Sequence, residues 1–332
     1  MPERMKILVY RISSIGDIIL TTPVVRCLKK QYPHAEIHYI TRKRYAETMS
    51  SNPYISHLWL IEKSPLEILD QLKAEKFDYM VDLHRNWRSQ RLMAHLNTKY
   101  NTFNKLNIRK WIYTHFKINL MPDIHIVDRY FKAVKKLHVS NDKEGLDFFF
   151  PKDYNPEIKK NLPEKYIAFA IGGTYATKRY PTPQIIEFVK LSPVPVVLLG
   201  GKTENNDAAE IESCIPDKVI NLCNKLSLTE SAAVIDNSRL VISNDTGMMH
   251  IAAALQKPII SIWGNTVPAF GMYPYFPEGL ENKSDIVENN NLRCRPCSKL
   301  GYKKCPKGHF RCMKDISPEL IAEKARKLLG LQ

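Results

Sequence analysis

The sequence predicts an α/β protein built from two doubly wound domains, each with a parallel sheet. Short apolar runs alternate with helical patterns in the first half of the chain, and the same alternation restarts near residue 166. Strands that alternate with helices indicate parallel crossover connections. The length of 332 residues fits two domains of about 100–200 residues each.

In the first half, four apolar runs of strand length predict strands. They are Lys6–Tyr10, Glu36–Ile40, His57–Ile61 and Tyr79–Leu83. Three helices are predicted between them, at Ile18–Gln31, Arg42–Ser50 and Pro65–Lys76. Parallel neighbours need such crossovers, so these elements predict one parallel sheet.

The second half repeats this order with five strands and three helices. The predicted strands are Tyr166–Ile171, Val194–Leu199, Lys218–Leu222, Leu240–Ser243 and Pro258–Trp263. The predicted helices between them are Glu204–Cys214, Thr229–Asn237 and Met248–Gln256. A final helix, residues 318–329, follows the N-cap candidate Ser317 and can pack back on the N-terminal domain.

A proline-rich stretch separates the two halves. It contains Pro151, Pro156 and Pro163, and proline at this density interrupts both helices and strands. We therefore predict an N-terminal Rossmann-like domain at residues 1–155, a C-terminal one at residues 156–332, and a cleft between them.

The chain carries 49 Lys and Arg against 34 Asp and Glu, a formal net charge of +15. This excess predicts an anionic partner: nucleic acid, an anionic membrane surface or a phosphorylated substrate. No apolar run approaches the roughly 18–20 residues of a membrane span, and the N-terminus lacks the apolar core of a signal peptide. We therefore expect a cytoplasmic protein.

Two stretches lack acidic residues altogether. Eight bases lie between Asp82 and Asp123, interleaved with aromatic residues, and eight more lie between Glu288 and Asp315. Each stretch can be an ordinary solvated basic face. The first also suits the headgroup region of an anionic membrane or the stacking of single-stranded nucleic acid, and composition does not separate these.

The loop at residues 11–17 (RISSIGD) follows the first strand, where ligands bind in open α/β sheets. It matches neither the G-x-G-x-x-G fingerprint nor the phosphate loop G-x-x-x-x-G-K-[ST], so neither type of nucleotide site is indicated. Asp17 can cap the following helix, or it can act as a general base at the mouth of the cleft.

Two loops of the second half are candidates for anion binding. In residues 172–179 (GGTYATKR), Lys178 and Arg179 can meet phosphate oxygens, although an exposed basic turn is the alternative. In residues 243–255 (SNDTGMMHIAAAL), Asp245 can cap a helix whose N–H groups at 246–248 then form an anion site. His250 can reach the same anion or pack as an interface histidine. Because no D-x-D motif occurs, a carboxylate-held divalent metal is not indicated.

Four cysteines form a C-x2-C-x7-C-x6-C cluster within the segment 294–312. They are Cys294, Cys297, Cys305 and Cys312. Four thiols suit tetrahedral zinc, with His309 as a spare ligand, so a structural zinc is predicted. Reduced or adventitiously oxidised thiols and a nucleic-acid-binding zinc knuckle are the alternatives.

Four segments together resemble glycosyltransferase family 9, the heptosyltransferases of bacterial lipopolysaccharide inner-core assembly. They are R-I-S-S-I-G-D (11–17), D-L-H-R-N-W-R-S (82–89), G-G-T-Y-A-T-K-R-Y-P (172–181) and S-N-D-T-G-M-M-H-I-A-A-A-L (243–255). The cysteine segment also resembles the tail of many members. The resemblance covers residue 6 to about residue 328.

The resemblance implies a GT-B fold and an inverting, metal-independent enzyme that moves heptose from ADP-heptose to a lipopolysaccharide inner-core acceptor. The N-terminal domain would bind the acceptor and the C-terminal domain the nucleotide-sugar donor. Asp17 matches the general base, and the donor site would include Thr174, Lys178, Asp245, Thr246, Gly247 and His250. We assign Ser14, Gly16, Arg85 and Arg88 to the acceptor.

At Met248, Met249 and Tyr175 the sequence departs from the pattern of the family. These departures bear on which sugar is transferred more than on the fold. Another nucleotide sugar or another surface glycan is therefore the first alternative. A basic nucleic-acid-binding protein with a zinc-like cluster is the remote one, and it leaves the loops of Asp17 and Lys178 unexplained. We expect no cofactor in catalysis, no nucleic acid partner, and peripheral contact with the cytoplasmic face of the anionic inner membrane.

Overall fold

A computed structural model describes residues 5–331 of the chain. They form two compact units. The first contains the residues up to Lys105 together with Ile124–Tyr154, and the second contains Leu106–Asp123 together with the residues from Asn155 onwards. The change of unit after residue 154 lies at the predicted boundary near 155. The segment 106–123 differs, because the sequence placed it in the N-terminal domain.

The first unit has a sheet of five strands in the order β3-β2-β1-β4-β5, and every neighbouring pair is parallel. The strands are β1 (Lys6–Tyr10), β2 (Glu36–Arg42), β3 (His57–Ile61), β4 (Tyr79–Asp82) and β5 (Lys99–Thr102). The helices of this part of the chain are α1 (Ile15–Ile19), α2 (Thr22–Gln31), α3 (Leu69–Ala74), α4 (Trp87–Leu96), α5 (Asn107–Phe116) and α6 (Ile126–Tyr130). Of these, α5 belongs to the second unit.

The structure of the first unit differs from the sequence-based predictions in three places. The helix predicted at Ile18–Gln31 is two helices, because Pro23 opens a new helix after Thr21. The helix predicted at Arg42–Ser50 is instead the end of β2 followed by a 3-10 turn at Lys43–Thr48. The strand β5 was not predicted because its sequence KYNT is polar and lies at the sheet edge.

The second unit has a six-stranded parallel sheet in the order β11-β10-β9-β6-β7-β8. Its strands are β6 (Ile167–Ala170), β7 (Val196–Leu199), β8 (Val219–Asn221), β9 (Leu240–Asn244), β10 (Ile259–Trp263) and β11 (Ser284–Glu288). Its further helices are α7 (Thr182–Leu191), α8 (Asn205–Cys214), α9 (Leu228–Asn237), α10 (Gly247–Ala254), α11 (Arg311–Lys314) and α12 (Pro318–Leu328). The predicted α/β class is confirmed in both units.

Helix α5 belongs to the second unit because one of its faces packs there. The Tyr113 and Phe270 rings meet edge to face with centroids 5.9 Å apart, and Lys110 lies 5.6 Å from the Phe270 centroid. Lys117, at the C-cap, donates from Nζ to Pro296 O at 2.8 Å. The basic, aromatic stretch 83–122 is therefore divided between the two units at residue 105.

The final helix α12 was expected to pack back on the N-terminal domain. It packs within the second unit, against α7, and its packing on the N-terminal domain stays a prediction. Ile321, Ala322 and Ala325 are at most 1% exposed and join the core of this unit, because the apolar face of α12 covers the sheet there.

Each sheet has one topological switch point, where strand order reverses. It lies between β1 and β4 in the first unit and between β6 and β9 in the second. Ligands bind outside the carboxyl ends of the strands at such points. Within residues 5–331, none of the helices combines the length and the apolarity that crossing a bilayer requires.

Candidate active site

Asp17 lies just beyond the carboxyl end of β1. It is the third residue of α1, and its Oδ2 accepts a hydrogen bond from Ser14 Oγ at 3.0 Å, while Oδ1 is 2.5 Å from Arg11 Nη2. Ser14 is the N-cap, so Asp17 does not occupy the capping position that was the alternative to a general base. The carboxylate is 25% exposed and remains reachable.

Arg11 is the buried partner that orients Asp17. Its guanidinium also donates to Leu83 O at 2.6 Å and to Ser13 O at 2.8 Å, so the side chain is fixed on several sides. Burial lowers the pKa of Arg11, but the charges of Asp17, Tyr130 and Tyr39 and the hydrogen bond with Asp17 together outweigh it, so the pKa of Arg11 is raised. The Asp17 carboxylate is therefore held in one orientation by Arg11 and Ser14.

The two arginines assigned to the acceptor lie after β4. Arg85 is exposed and donates from Nη1 to Phe103 O at 2.9 Å, which ties the two loops together. Arg88 is half-buried in the first turn of α4, with its guanidinium 4.8 Å from the Trp87 ring centroid. Gly16 is buried within α1 and Ser14 is bonded to Asp17, so these four residues share one end of the sheet.

His84 follows β4 at the same edge. Burial first, and then the positive charges of Arg11 and Lys105, lower the pKa of His84 to about 3. The folded protein therefore keeps His84 neutral at a pH where the unfolded chain, with an ordinary pKa near 6.5, binds a proton.

This difference predicts an acid sensitivity of folding. Because only the unfolded state gains the proton between about pH 6.5 and 3, stability falls as the pH is lowered through that window. Between pH 7 and pH 5 the free energy of unfolding falls in the wild type. In the H84Q variant we expect this fall to be smaller by about 1–2 kcal/mol. Urea unfolding at both pH values measures this, and equal losses in the two proteins would contradict it.

In the second unit, Asn244 at the end of β9 joins the two predicted donor loops. Its Nδ2 donates to Ile171 O and Gly172 O, both at 3.0 Å, and its Oδ1 accepts from Tyr180 N at 3.0 Å. The amide is fully buried and all these bonds run across the switch point between β6 and β9. Loops that are far apart in sequence are thereby fixed side by side.

Lys178 and Asp245 meet directly at this point. Lys178 Nζ lies 2.6 Å from Asp245 Oδ2, which also accepts from Thr266 Oγ1 at 2.8 Å. The lysine side chain is 17% exposed and the aspartate 11%. The sequence placed both residues in the donor site but did not predict that they pair. The pairing holds the lysine ammonium at the mouth of the loop.

Helix α10 begins with Thr246 as its N-cap, one residue later than the predicted cap Asp245. The N–H groups of residues 247–249 therefore have no partner within the helix, and they sit beside the Lys178 pair. His250 is 2% exposed and is packed inside the unit, so its contact with an anion stays a prediction.

Arg179 binds other parts of its own loop region and is therefore not available as a free phosphate ligand. It pairs with Glu204 at 2.7 Å and donates from Nε to Gly173 O at 2.8 Å. Glu204 in turn accepts from Gly201 N at 2.9 Å, which links the loop after β7 to the loop after β6. Thr174 is exposed on this loop.

The model of glycosyltransferase family 9 (heptosyltransferase) matches residues 66–306, which is most of the chain. Lipooligosaccharide heptosyltransferase 2 of Campylobacter jejuni serotype O:2 is 25% identical over 339 residues, covering 98% of each chain.

The chain belongs to glycosyltransferase family 9. It is therefore an enzyme, a glycosyltransferase, as the resemblance implied. The family 9 protein from Veillonella parvula has a TM-score of 0.78 at 22% identity, covering 98% of this chain and 97% of its own. E. coli ADP-heptose lps heptosyltransferase II has a TM-score of 0.70 at 19% identity, covering 98% and 99%. These likenesses confirm the predicted GT-B fold.

In this family 9 chain the cysteine segment packs on the donor loops. Cys297 N donates to Asn265 O at 3.0 Å, and three hydrogen bonds join Tyr302 and Thr177, at 2.8, 3.1 and 3.2 Å. Gly301 has φ +136°, and a Cβ there would lie 2.5 Å from Tyr175 Cβ, so only glycine fits this approach.

The cysteines themselves are all free thiols. Cys294 Sγ lies 3.8 Å from His309 Nε2, but between residues 5 and 331 no three His, Cys, Asp or Glu side chains are arranged so that they could hold a metal ion. The zinc site thus stays a prediction from spacing alone.

Sequence reasoning missed four residues that organise the two switch points. Asn244, Glu204 and Thr266 support the donor loops, and His84 stands beside the acceptor loop. Each lies at or just beyond the carboxyl end of a strand, or on the turn that follows it. That position was the available signal, and it becomes informative only once strand order is known.

Proposed function

We propose that this chain is an inverting, metal-independent transferase that moves heptose from ADP-heptose to a lipopolysaccharide inner-core acceptor. The observation that carries the proposal is the Lys178 site beside the start of α10, a cationic and N–H-rich position at the switch point of the second sheet. Two of the proteins named above, from Campylobacter jejuni and E. coli, are named heptosyltransferases, and the second is named for ADP-heptose.

The donor diphosphate would sit against Lys178 and the N–H groups of residues 247–249. A lysine ammonium binds phosphate oxygens through charge-assisted hydrogen bonds, and a helix N-terminus favours negative charge. As the bond from the sugar to the diphosphate breaks, negative charge grows on the leaving phosphate. These fixed donors stabilise that charge most in the transition state, so metal is not required.

The acceptor hydroxyl would lose its proton to Asp17 as its oxygen attacks the anomeric carbon of the donor. The new bond forms on the face opposite the departing ADP, so the configuration inverts, and the sugar passes through an oxocarbenium-like state. The ion pair with Arg11 orients Asp17 for this transfer. One proton is transferred to Asp17 and one glycosidic bond replaces the bond to ADP.

The test is a donor screen with the purified full chain. We expect ADP to stabilise the protein more than UDP, GDP or CMP in thermal-shift and calorimetric measurements. Transfer from ADP-heptose to a lipopolysaccharide-core acceptor should follow. A preference for another nucleotide would overturn the heptose assignment and favour a family 9 transferase of another sugar, and salt-dependent oligonucleotide binding without transfer would favour the nucleic-acid alternative.

We further propose that the enzyme works at the cytoplasmic face of the inner membrane and touches its anionic surface through α5 and the residues that follow it. The side of α5 away from Phe270 exposes Ile108 (77%), Trp111 (51%) and Phe116 (61%). Ile118 and Leu120 continue this apolar surface at 55% and 49% exposure.

The charge of the same segment complements anionic lipid. Arg109, Lys110 and Lys117 lie among the apolar residues in sequence, and no acid occurs from Leu106 to Pro122. Of the three, Lys110 and Lys117 also contact Phe270 and Pro296. Aromatic and aliphatic side chains insert at the headgroup boundary, while each nearby base adds about 1 kcal/mol of attraction to an anionic surface.

A W111S variant is therefore expected to lose several-fold in binding to vesicles that contain phosphatidylglycerol. Co-sedimentation at low and high salt measures the binding, which should fall with salt because the attraction is screened. The control is L320S, which removes an exposed apolar residue (41%) of α12. Equal binding of the two variants, or no binding by the wild type, would contradict the membrane surface.

We retain a structural zinc on the four cysteines of the segment 294–312 as a proposal, with no role in the chemistry. The donor set suits zinc, while the present arrangement of the side chains does not, so the thiols would have to move to enclose an ion. Elemental analysis of the purified protein decides: about one zinc per chain supports the site, and none rejects it.

A further inference from the structure

At the carboxyl edge of the first sheet, Tyr10 Oη, Arg42 Nε and His84 Nδ1 are among the polar atoms that are buried without a hydrogen-bond partner. Their residues end β1 and β2 and follow β4, the three strands around the switch point of this sheet. Buried polar groups are nearly always bonded in proteins, so several unpaired ones at a ligand-binding edge point to a missing partner.

These atoms belong to one cluster. Tyr10 and Asp82 are paired across β1 and β4, and the Tyr10 ring meets the His84 ring edge to face with centroids 6.1 Å apart. The charges of Arg42 and Arg88 reach Tyr10, and the charge of Arg42 also reaches His84. Tyr10 forms the floor, fully buried, while Arg42, His84 and Arg88 are half-buried around it.

The charges of this cluster predict the sign of its ligand. Arg42, Arg88 and Lys105 surround it, and Asp82 is the acid within it. The Asp82 oxygens already accept from His84 N at 2.9 Å, from Arg85 N at 2.7 Å and from Ser89 Oγ at 2.6 Å. The remaining donors of the cluster therefore suit an oxyanion from outside the chain.

We propose that Tyr10, Arg42 and His84 form a subsite that binds an anionic group, a carboxylate or a phosphate, of the acceptor sugar. This inference rests on the proposed function and extends it to residues beyond Arg85 and Arg88. Arg42 and Tyr10 donate hydrogen bonds to the oxyanion, and the neutral His84 ring supplies one more from Nδ1. Asp17 is close enough for its charge to reach His84, so an anchored acceptor presents its hydroxyl beside the general base.

Direct binding is tested on the full chain labelled with 15N-histidine, with inorganic phosphate and acetate as probes at constant pH. H84Q identifies the His84 ring signals. We expect phosphate or acetate to shift the His84 signals in the wild type and in R44M, and at least about tenfold more weakly in R42M. Arg44 is the matched control because it is exposed on the neighbouring turn, with its guanidinium over Tyr45. Equal affinity in R42M and R44M would overturn the subsite.

Kinetics then separate this subsite from the donor site. R42M and Y10F are expected to raise the acceptor KM at least about tenfold and leave the donor KM and the affinity for ADP unchanged. Loss of the R42M penalty after phosphatase treatment of the acceptor identifies a phosphate, and its persistence identifies a carboxylate. An unchanged acceptor KM in an active R42M enzyme rejects the subsite alone, whereas absence of heptose transfer by the wild type rejects the proposed function.

Discussion

Replacing Asp17 with asparagine is expected to lower kcat by about 100- to 10,000-fold, the range that a positioned general base contributes. Asparagine preserves the size of the side chain and its hydrogen bond with Ser14, but it cannot take the proton of the acceptor hydroxyl. The affinity for ADP should stay unchanged, because the donor loops belong to the second unit. Single-turnover transfer and calorimetry with ADP measure the two quantities.

The ion pair with Arg11 requires a stability control for this variant. Arg11 is only 7% exposed in its side chain, and breaking a buried pair by removing one partner costs about 3–5 kcal/mol. Loss of activity is therefore assigned to chemistry only at a temperature where D17N is folded. D70N, on the exposed surface of α3, should keep wild-type kcat. Turnover retained by folded D17N would remove Asp17 from the role of base.

Replacing Lys178 with methionine is expected to weaken ADP binding by about 10- to 100-fold. The loss of a charge-assisted hydrogen bond is worth about 1.5–3 kcal/mol, and each 1.4 kcal/mol is a factor of ten. The substitution also leaves the Asp245 carboxylate unpaired beside the diphosphate, since Lys178 Nζ lies 2.6 Å from it. Calorimetry with ADP measures the effect, and adenosine should bind the variant and the wild type alike.

A further substitution, D245N, separates the loss of the lysine hydrogen bond from the repulsion between Asp245 and the diphosphate. If repulsion by Asp245 contributes, the double variant K178M/D245N should recover part of the affinity that K178M loses. K190M, which removes an exposed lysine of α7 paired with Glu187 at 2.7 Å, is the matched control. An affinity of K178M for ADP equal to that of K190M would place the diphosphate elsewhere.

Most of the fold could be predicted because the central strands of both sheets are buried along most of their length. Runs such as KILVY and IISIW are continuous and apolar, and parallel strands covered on both faces require such sequences. Among the elements that were not predicted, β5 is polar and α5 buries none of its residues, whereas α7 has buried apolar positions that the sequence analysis overlooked. Helix α12 was predicted nearly to the residue, since Ser317 caps it and its apolar face is periodic.

The candidate site was predictable in its loops and less so in its contacts. Local motifs point to Asp17, Lys178 and Asp245, because each follows a predicted strand where ligands bind. Whether Lys178 points to solvent or to Asp245 depends on strand order, which brings β6 beside β9 although 67 residues separate the two side chains. Local sequence patterns carry no information on contacts between residues that are so far apart in the chain.

The sequence by itself determined the two-domain α/β class, the loops that hold the candidate chemistry and the excess of positive charge. Only the tertiary structure decided that segment 106–123 packs with the second unit, that Lys178 and Asp245 pair, and that the Tyr10 and His84 rings meet at the end of the first sheet. Periodicity and turn chemistry act between near neighbours along the chain. Contacts between strand ends depend on which strands lie side by side, which is settled by packing of the whole sheet.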